Sequence, residues 1–387
     1  MSKPGTLDAA RAEVRPVAPQ AASAPEPHPQ DTALLDNVER ALVDYLGGRR
    51  TEAARIEDSF GVAVDALATF VLGGGKRIRP TFAWWGWRGA GGDPSGPQTQ
   101  AVVRAVSALE LIQACALVHD DLMDASAVRR GSPTVHVAFA QRHRANDWAG
   151  APERFGQAAA VLLGDLALAW ADDMLRESGL SGAQLDRAAG PWRAMRTEML
   201  AGQYLDVLTQ ARADSSPEAA LRVDRLKTAA YTVERPLHLG AALAGAGPEL
   251  VDGLRRFGVD IGLAFQLRDD LLGVFGDPEV TGKPAGDDLR EGKRTLLVSL
   301  GLTRAEQGGQ HARARALREA IGRADLDEPG VDAVRELLVE LGAVDAVEAR
   351  IGELTERALA TLRATELAEP AESRLAALAV AATRRTH

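Results

Sequence analysis

The stretch that most restricts the fold is "AVVRAVSALELIQACALVHDDLMD", residues 101–124. Its apolar residues recur at helical steps for more than six turns, with few charges among them. It then ends in Asp120, Asp121 and Asp124. A helix this apolar must be covered by other elements, so the carboxylates at its end border a buried interior. Like charges at i,i+3 and i,i+4 face one another and cost roughly 0.2–0.5 kcal/mol per pair. Such a group is expected where it holds a cation.

The same period continues along the chain. "ALLDNVERALVDYL", "LRVDRLKTAAYTVERPLHLGAALAG" and "VDGLRRFGVDIGLAFQLRDDLLGVFG" place apolar residues at mixed i+3 and i+4 steps. Alternating strand patterns bounded by tight turns are absent, and alanine and leucine, both good helix formers, abound. No period of 20–50 residues repeats, which excludes a solenoid. The expectation is a single all-α domain over 31–387 with more than ten helices. Loops are expected at 89–98, 142–156, 211–218 and 276–288, and a peripheral position for the polar stretch 304–331. Residues 1–30 hold six prolines and almost no large apolar side chain, the signature of a disordered tail.

Composition narrows the function. A net charge of −9 argues against a nucleic-acid partner. The single cysteine, Cys115, excludes an intramolecular disulfide and a cysteine-based zinc cluster, and fits a reducing cytoplasm. No transmembrane segment is expected, because charges interrupt the longest apolar runs, and the N-terminus lacks the apolar core of a signal peptide.

A second acidic pair answers the first. "FQLRDDLLGVFGD" sets Asp269 and Asp270 at the end of another apolar helix. Oxygen-only clusters suit Mg²⁺, which takes carboxylates, keeps waters and completes its octahedron with substrate phosphates. Cations lie near in sequence: Lys76, Arg77 and Arg79 in "GGGKRIRP", Arg129 and Arg130 after the first acidic motif, Lys227 in "RLKTAAYT", Lys283 in "TGKPAGDD" and Lys293 in "EGKRT". Cations beside metal-binding carboxylates imply a ligand with many anionic oxygens, and a diphosphate is the natural candidate. "GGGKRIRP" has the wrong spacing for a Walker-type phosphate loop. The tryptophans of "WWGW" (84–87), His136 and Cys115 read as structural residues.

With six motifs in order, the chain resembles the trans-isoprenyl diphosphate synthases, the family of farnesyl and geranylgeranyl diphosphate synthases. They are "GGKRIRP", "DDLMD" with "RRGSPTVH", "GQYLD", "KTA", "FQLRDD" and "GKPAGDDLREGKRT", spread over about 35–300. The resemblance implies an isoprenoid-synthase-type helical bundle around a central cavity, a homodimer, and about three Mg²⁺ ions. It implies that Asp120, Asp121 and Asp124 bind Mg²⁺ from one side and Asp269 and Asp270 from the facing helix. Arg129, Lys227 and Lys283 would contact the allylic diphosphate. Lys76, Arg79, Arg130 and Gln113 would hold the diphosphate of isopentenyl diphosphate. Gln203, Asp206, Thr228 and Gln266 would line the chamber. One position departs from the pattern: the second acidic motif usually ends in Asp, and here Gly273 stands there. Asp277, eight residues past Asp269, is too far along the helix to replace it.

The implied reaction is head-to-tail condensation of isopentenyl diphosphate with an allylic diphosphate. The small residues Cys115 and Ala116, about one turn before Asp120, would meet the growing chain, so the pocket is expected to run past farnesyl length. Ile112, Leu168 and Trp170 are candidates for its floor. Geranylgeranyl diphosphate is the expected product, with farnesyl or a longer polyprenyl diphosphate as alternatives. A class I terpene cyclase would carry an Asn/Ser/Glu metal motif in place of "RDDLLG" and would not need "GGKRIRP". A non-catalytic subunit would have lost more aspartates. Arg384 and Arg385 are either solvated or a cap over the isopentenyl site.

Overall fold

The computed structural model of the protein describes residues 29–276 and 286–383. The chain runs through α1 (Pro29–Ile56), α2 (Asp58–Leu72), α3 (Ile78–Gly89), α4 (Thr99–Ser107) and α5 (Leu109–Met123). A two-residue ribbon follows, β1 (Val128–Arg129) against β2 (Ser132–Pro133). Then come α6 (Val135–Ala145), α7 (Pro152–Arg176), α8 (Gly182–Ala211), α9 (Pro217–Val223), the π-helix Asp224–Glu234, α10 (Arg235–Ala244) and α11 (Pro248–Phe275). The last elements are α12 (Asp287–Arg290), α13 (Leu296–Gln307), α14 (His311–Ala320), α15 (Glu328–Glu340), α16 (Ala343–Arg363) and α17 (Ala371–Thr383). The all-α expectation holds. Helix α1 starts at Pro29, two residues inside the expected tail, whose remainder lies outside the described residues. The expected 142–156 loop shrinks to 146–151, because α6 runs on to Ala145 and α7 starts at Pro152. A proline is well placed there, since the first helical N–H has no partner in the helix.

Two hydrophobic cores share α11. Its Leu254, Phe257 and Ile261 belong to the larger core, with Trp85, Leu109, Met195 and Leu237. Its Ala264, Leu267, Leu271 and Val274 belong to a second core with Leu297, Leu302, Leu317, Val331 and Leu338. The 304–331 stretch, expected at the periphery, buries an apolar stripe of its own in this second core. The three tryptophans of "WWGW" are buried, and Trp85 Nε1 donates to Asp31 Oδ1 at 2.8 Å. The segment Thr99–Met123 is long and apolar enough to cross a membrane, but most of it is buried inside the fold.

The π-helix is the feature that helical periodicity did not announce. Such helices are rare and gather at functional sites. Glycines on both neighbours let it approach closely: a Cβ at Gly202 of α8 would lie 2.6 Å from Lys227 Cα, and one at Gly262 of α11 would lie 2.5 Å from Ala229 Cα. Sunk between α8 and α11, it turns Asp224, Lys227, Thr228 and Tyr231 toward one cavity.

Candidate active site

That cavity has a volume of about 590 Å³, within the range usual for small-molecule sites. Lys76 comes from the turn before α3, Arg79 from the start of α3, and Gln113, Cys115, Ala116, His119 and Asp120 from α5. Gln203 and Asp206 come from α8, and Gln266, Asp269 and Asp270 from α11. The fold thus brings most of the expected site residues to one place. Asp121, Asp124 and Arg130 do not line it, Lys283 lies outside the described residues, and none of the three floor candidates Ile112, Leu168 and Trp170 reaches it. Ile112 points into the protein core and is fully buried.

Helical geometry separates the three aspartates of the first motif. Asp120 faces the cavity, while Asp121 is turned about 100° away, as successive helical positions are. Asp121 is 1% exposed and grips Arg129, whose Nε lies 2.8 Å from both of its carboxylate oxygens. Arg129 reaches it from the ribbon, whose turn residues Arg130 and Gly131 have the positive φ that a tight two-residue hairpin requires. At the tip, Arg130 donates to the Gly74 carbonyl of the glycine turn before α3. Arg77 in that turn has φ 46, a strained value for a bulky residue, and is pinned inward by Glu110 at 2.7 Å and Glu39 at 2.9 Å. Lys76 and Arg79, on either side of it, border the cavity. Arg79 donates to Thr232 Oγ1 at 2.9 Å and lies over the Tyr231 ring, 4.0 Å from its centre.

Cations already balance the first acidic side. Lys227 Nζ stands 2.7 Å from Asp120 Oδ1 and 2.6 Å from Asp206 Oδ2, and Gln203 donates to Asp120 at 3.0 Å. Burial pushes the Asp120 carboxyl up, but Lys227, Lys293 and Arg129 outweigh it and hold it below the usual carboxylate range. Asp124, at the end of α5, is raised to about 6 by burial and by Asp120, with Lys293 Nζ 3.4 Å away. The second acidic side is different. Burial, then Asp224 and Asp288, push the Asp270 carboxyl well up. Asp224 is raised to about 7 by burial and by Asp206. Gln266 donates to Asp270 Oδ1 at 2.6 Å, but among the described residues the buried Asp270 Oδ2 has no hydrogen-bond partner, nor has Asp124 Oδ2.

These buried oxygens suit a hard cation. Among the described residues, no three acidic or histidine side chains converge tightly enough to hold an ion by themselves. That fits Mg²⁺, which takes one or two carboxylates and leaves the remaining positions to water and substrate oxygens.

Sequence reasoning named Lys293 only as a nearby cation and missed Asp224, Tyr231, Asp287 and Asp288 as cavity residues. The signals were present: Asp224 precedes Lys227 by three residues, and the aspartates of "GDD" follow the lysine of "GK" at short range. His119 lines the wall, while the buried Cys115 has its thiol pushed up to about 12 by burial and by Asp165, and so is no nucleophile. His136 is held by Thr134, as a structural histidine would be.

Comparison with known proteins now decides the family. The polyprenyl synthetase family matches residues 62–338. The chain belongs to it. Members are trans-prenyltransferases, and this chain is one of them. It is 35% identical over 310 residues to a geranylfarnesyl diphosphate synthase of Aeropyrum pernix, covering 78% of this chain and 89% of that one. It is 31% identical over 254 residues to a geranylgeranyl diphosphate synthase of Saccharolobus solfataricus, covering 65% and 70%. Its fold matches the crystal structure of a Corynebacterium glutamicum geranylgeranyl pyrophosphate synthase complexed with isoprenyl diphosphate and magnesium. The TM-score is 0.88 at 47% identity, over 91% of this chain and 98% of that one.

Proposed function

We propose that the protein condenses isopentenyl diphosphate head-to-tail with an allylic diphosphate, with Mg²⁺, to give a longer trans-prenyl diphosphate, geranylgeranyl diphosphate being the main product. One observation carries this reading: two acidic faces and a separate basic patch meet across a single partly apolar cavity. One diphosphate fits between the acidic faces, and the other fits the patch of Lys76 and Arg79 beside Gln113.

Asp120 and Asp124 would hold metal from the first side and Asp269 and Asp270 from the second, with three ions in all. Asp121 acts through Arg129, which it aims at the allylic diphosphate. Lys227 and Thr228 would contact that same group, and Lys283, outside the described residues, is proposed beside them. Arg130 would join Lys76 and Arg79 after releasing the Gly74 carbonyl. When bound, Mg²⁺ neutralises charge that builds on the departing diphosphate. Lys227 and Arg129 are aimed at the same charge, and preorganised cations of this kind lower a barrier by several kcal/mol. The apolar wall from Cys115 and Ala116 excludes water from the allylic cation while the alkene of isopentenyl diphosphate attacks it. The departing diphosphate accepts the proton that is then lost.

We also propose a cytoplasmic homodimer. The exposed apolar side chains Val161 and Leu162 of α7 and Leu200, Tyr204 and Val207 of α8 support a covered face.

Incubating the full chain with isopentenyl diphosphate, an allylic diphosphate and Mg²⁺ tests the assignment. The expected product is a longer prenyl diphosphate whose formation stops on chelation. A cyclised hydrocarbon, or no product, overturns it.

A further inference from the structure

The second acidic motif ends in Gly273 where its pattern calls for a third carboxylate. Position 273 lies on the face of α11 that carries Asp269, four residues on. The space in front of it is filled. A Cβ added at Gly273 would lie 2.8 Å from Asp288 Cγ, with Asp288 Oδ2 the atom most directly in its way. The carboxylate of Asp288 therefore stands where a side chain at 273 would emerge.

Backbone bonds, not chance side-chain placement, hold it there. Gly286 N–H donates to the Gly273 carbonyl at 3.1 Å, which ties the start of α12 to α11. Gly286 has φ +77, a conformation that favours glycine. On the far side, Leu289 is 1% exposed, and its carbonyl accepts from Gly322 N at 2.7 Å. Lys293 N–H closes the turn onto the Asp288 carbonyl at 3.0 Å.

A second observation points to a ligand at this place. Asp270 is 4% exposed, and its Oδ2 has no hydrogen-bond partner among the described residues. Asp269, Asp270 and Asp288 all border the same cavity as Gly273. A buried acceptor without a donor is costly unless a cation or water completes it.

We propose that Asp288 supplies the second acidic site with the carboxylate that position 273 lacks, so that the metal held by Asp269 and Asp270 meets three carboxylates, two directly and one through a bound water, since the three do not converge tightly enough to hold an ion by themselves. The third of these comes from the segment after the helix. This rests on the reading of the cavity as a metal–diphosphate site. The exchange has a consequence for its wiring. Lys293 Nζ lies 3.3 Å from Asp288 Oδ1 and 3.4 Å from Asp124 Oδ2, so one lysine touches carboxylates of both acidic sides. A carboxylate at 273 would be fixed to α11, whereas Asp288 belongs to the turn that also carries Lys293.

The test measures metal binding rather than turnover. Mn²⁺ is titrated into the full chain with saturating inorganic diphosphate, and bound and free ion are read by electron paramagnetic resonance. The wild-type protein, Asp288→Asn, and the exchanged pair Gly273→Asp with Asp288→Gly are compared. Asp288→Asn should weaken the affected Mn²⁺ site about tenfold, the scale of losing one carboxylate that supports a metal. The exchanged pair should return to within about threefold of wild type, since it puts the carboxylate back in the same space. If Asp288→Asn does not fold, the exchanged pair decides by the same criterion. Wild-type affinity in Asp288→Asn, or a folded exchanged pair that stays weak, overturns the inference. Absence of Mn²⁺ binding in the wild-type protein would overturn the metal–diphosphate reading itself, and is thereby distinguishable.

Discussion

The two acidic faces of the cavity contain similar residues in opposite electrostatic states. On the α5 side, Asp120 and Asp121 are each matched by a cation: Lys227 at 2.7 Å and Arg129 at 2.8 Å. On the α11 side, Asp270 faces Asp224 and Asp288, and its nearest hydrogen-bond help is the neutral Gln266. These two acids of the first face are paired before any ligand arrives. On the second face burial and crowding push the carboxyls of Asp270 and Asp224 up, so it gains most from a metal ion. The sequence-based argument that carboxylate repulsion burdens "DDLMD" is thus corrected for Asp120 and Asp121. The local repulsion is real, but Arg129 of β1, eight residues on, and Lys227 of the π-helix, far along the chain, offset it.

The largest test of this contrast removes one acid from each face. Asp120→Asn and Asp270→Asn should each lower kcat/KM by about 10²–10³-fold, the scale of losing one group aimed at developing charge. Their effects on the metal-free protein should have opposite signs. Asp120→Asn leaves Lys227 short of a partner and should lower the melting temperature, whereas Asp270→Asn relieves crowding and should raise it at pH 8. Melting curves in a chelator check this, and equal signs would break the contrast.

Next in size is the basic patch. Lys76→Ala should raise KM for isopentenyl diphosphate about tenfold with little change for the allylic substrate, because one charge-assisted contact is worth ~1.5 kcal/mol or more. Steady-state kinetics with each substrate varied in turn separates the two. An equal rise in both KM values would merge the proposed pockets.

The pH response should be smaller. Asp124 and Asp224 have folded pKa values raised to about 6 and about 7, above the ~4 of an unfolded carboxyl. Between these limits the folded chain holds protons that the unfolded chain has released. Stability of the metal-free protein should therefore fall as pH rises from about 4 to 7. Asp120, held low, acts in the opposite sense, losing its contribution only as pH falls below that window. Thermal melts across pH 4–8 check the sign. A rise in melting temperature over that range contradicts the assignment of crowded acids.

Ala116→Phe should change selectivity alone. Ala116 lines the cavity on the helix that carries Asp120, so a ring there should shorten the main product by one isoprene unit and spare turnover. Chromatography of the dephosphorylated products reads it.

Helices, cores and most cavity residues were legible in the sequence because they follow from a 3.6-residue period and from residue types that must meet their opposites. Asp120, Lys227 and Asp270 are of this kind, whereas Gln203 and Gln266 followed only from the family resemblance. What was hidden depended on direction. Arg268, placed beside the second acidic pair in the sequence, turns away to Glu348 and the Thr383 carbonyl. Arg77 turns inward to Glu110. Trp170 packs in the core and does not floor the pocket. The π-helix was invisible to a search for a 3.6-residue period. Asp288 could not be linked to Gly273 because the segment between them, only partly described, separates the two in sequence by fifteen positions.

The central claim is that both acidic faces close on one diphosphate through metal. Crystals grown with Mn²⁺ and inorganic diphosphate, measured for anomalous scattering, test it most directly. The account predicts manganese peaks beside Asp120 and Asp124 and beside Asp269 and Asp270, with a single diphosphate between them. Peaks confined to one face, with the diphosphate held away from the other, would contradict it.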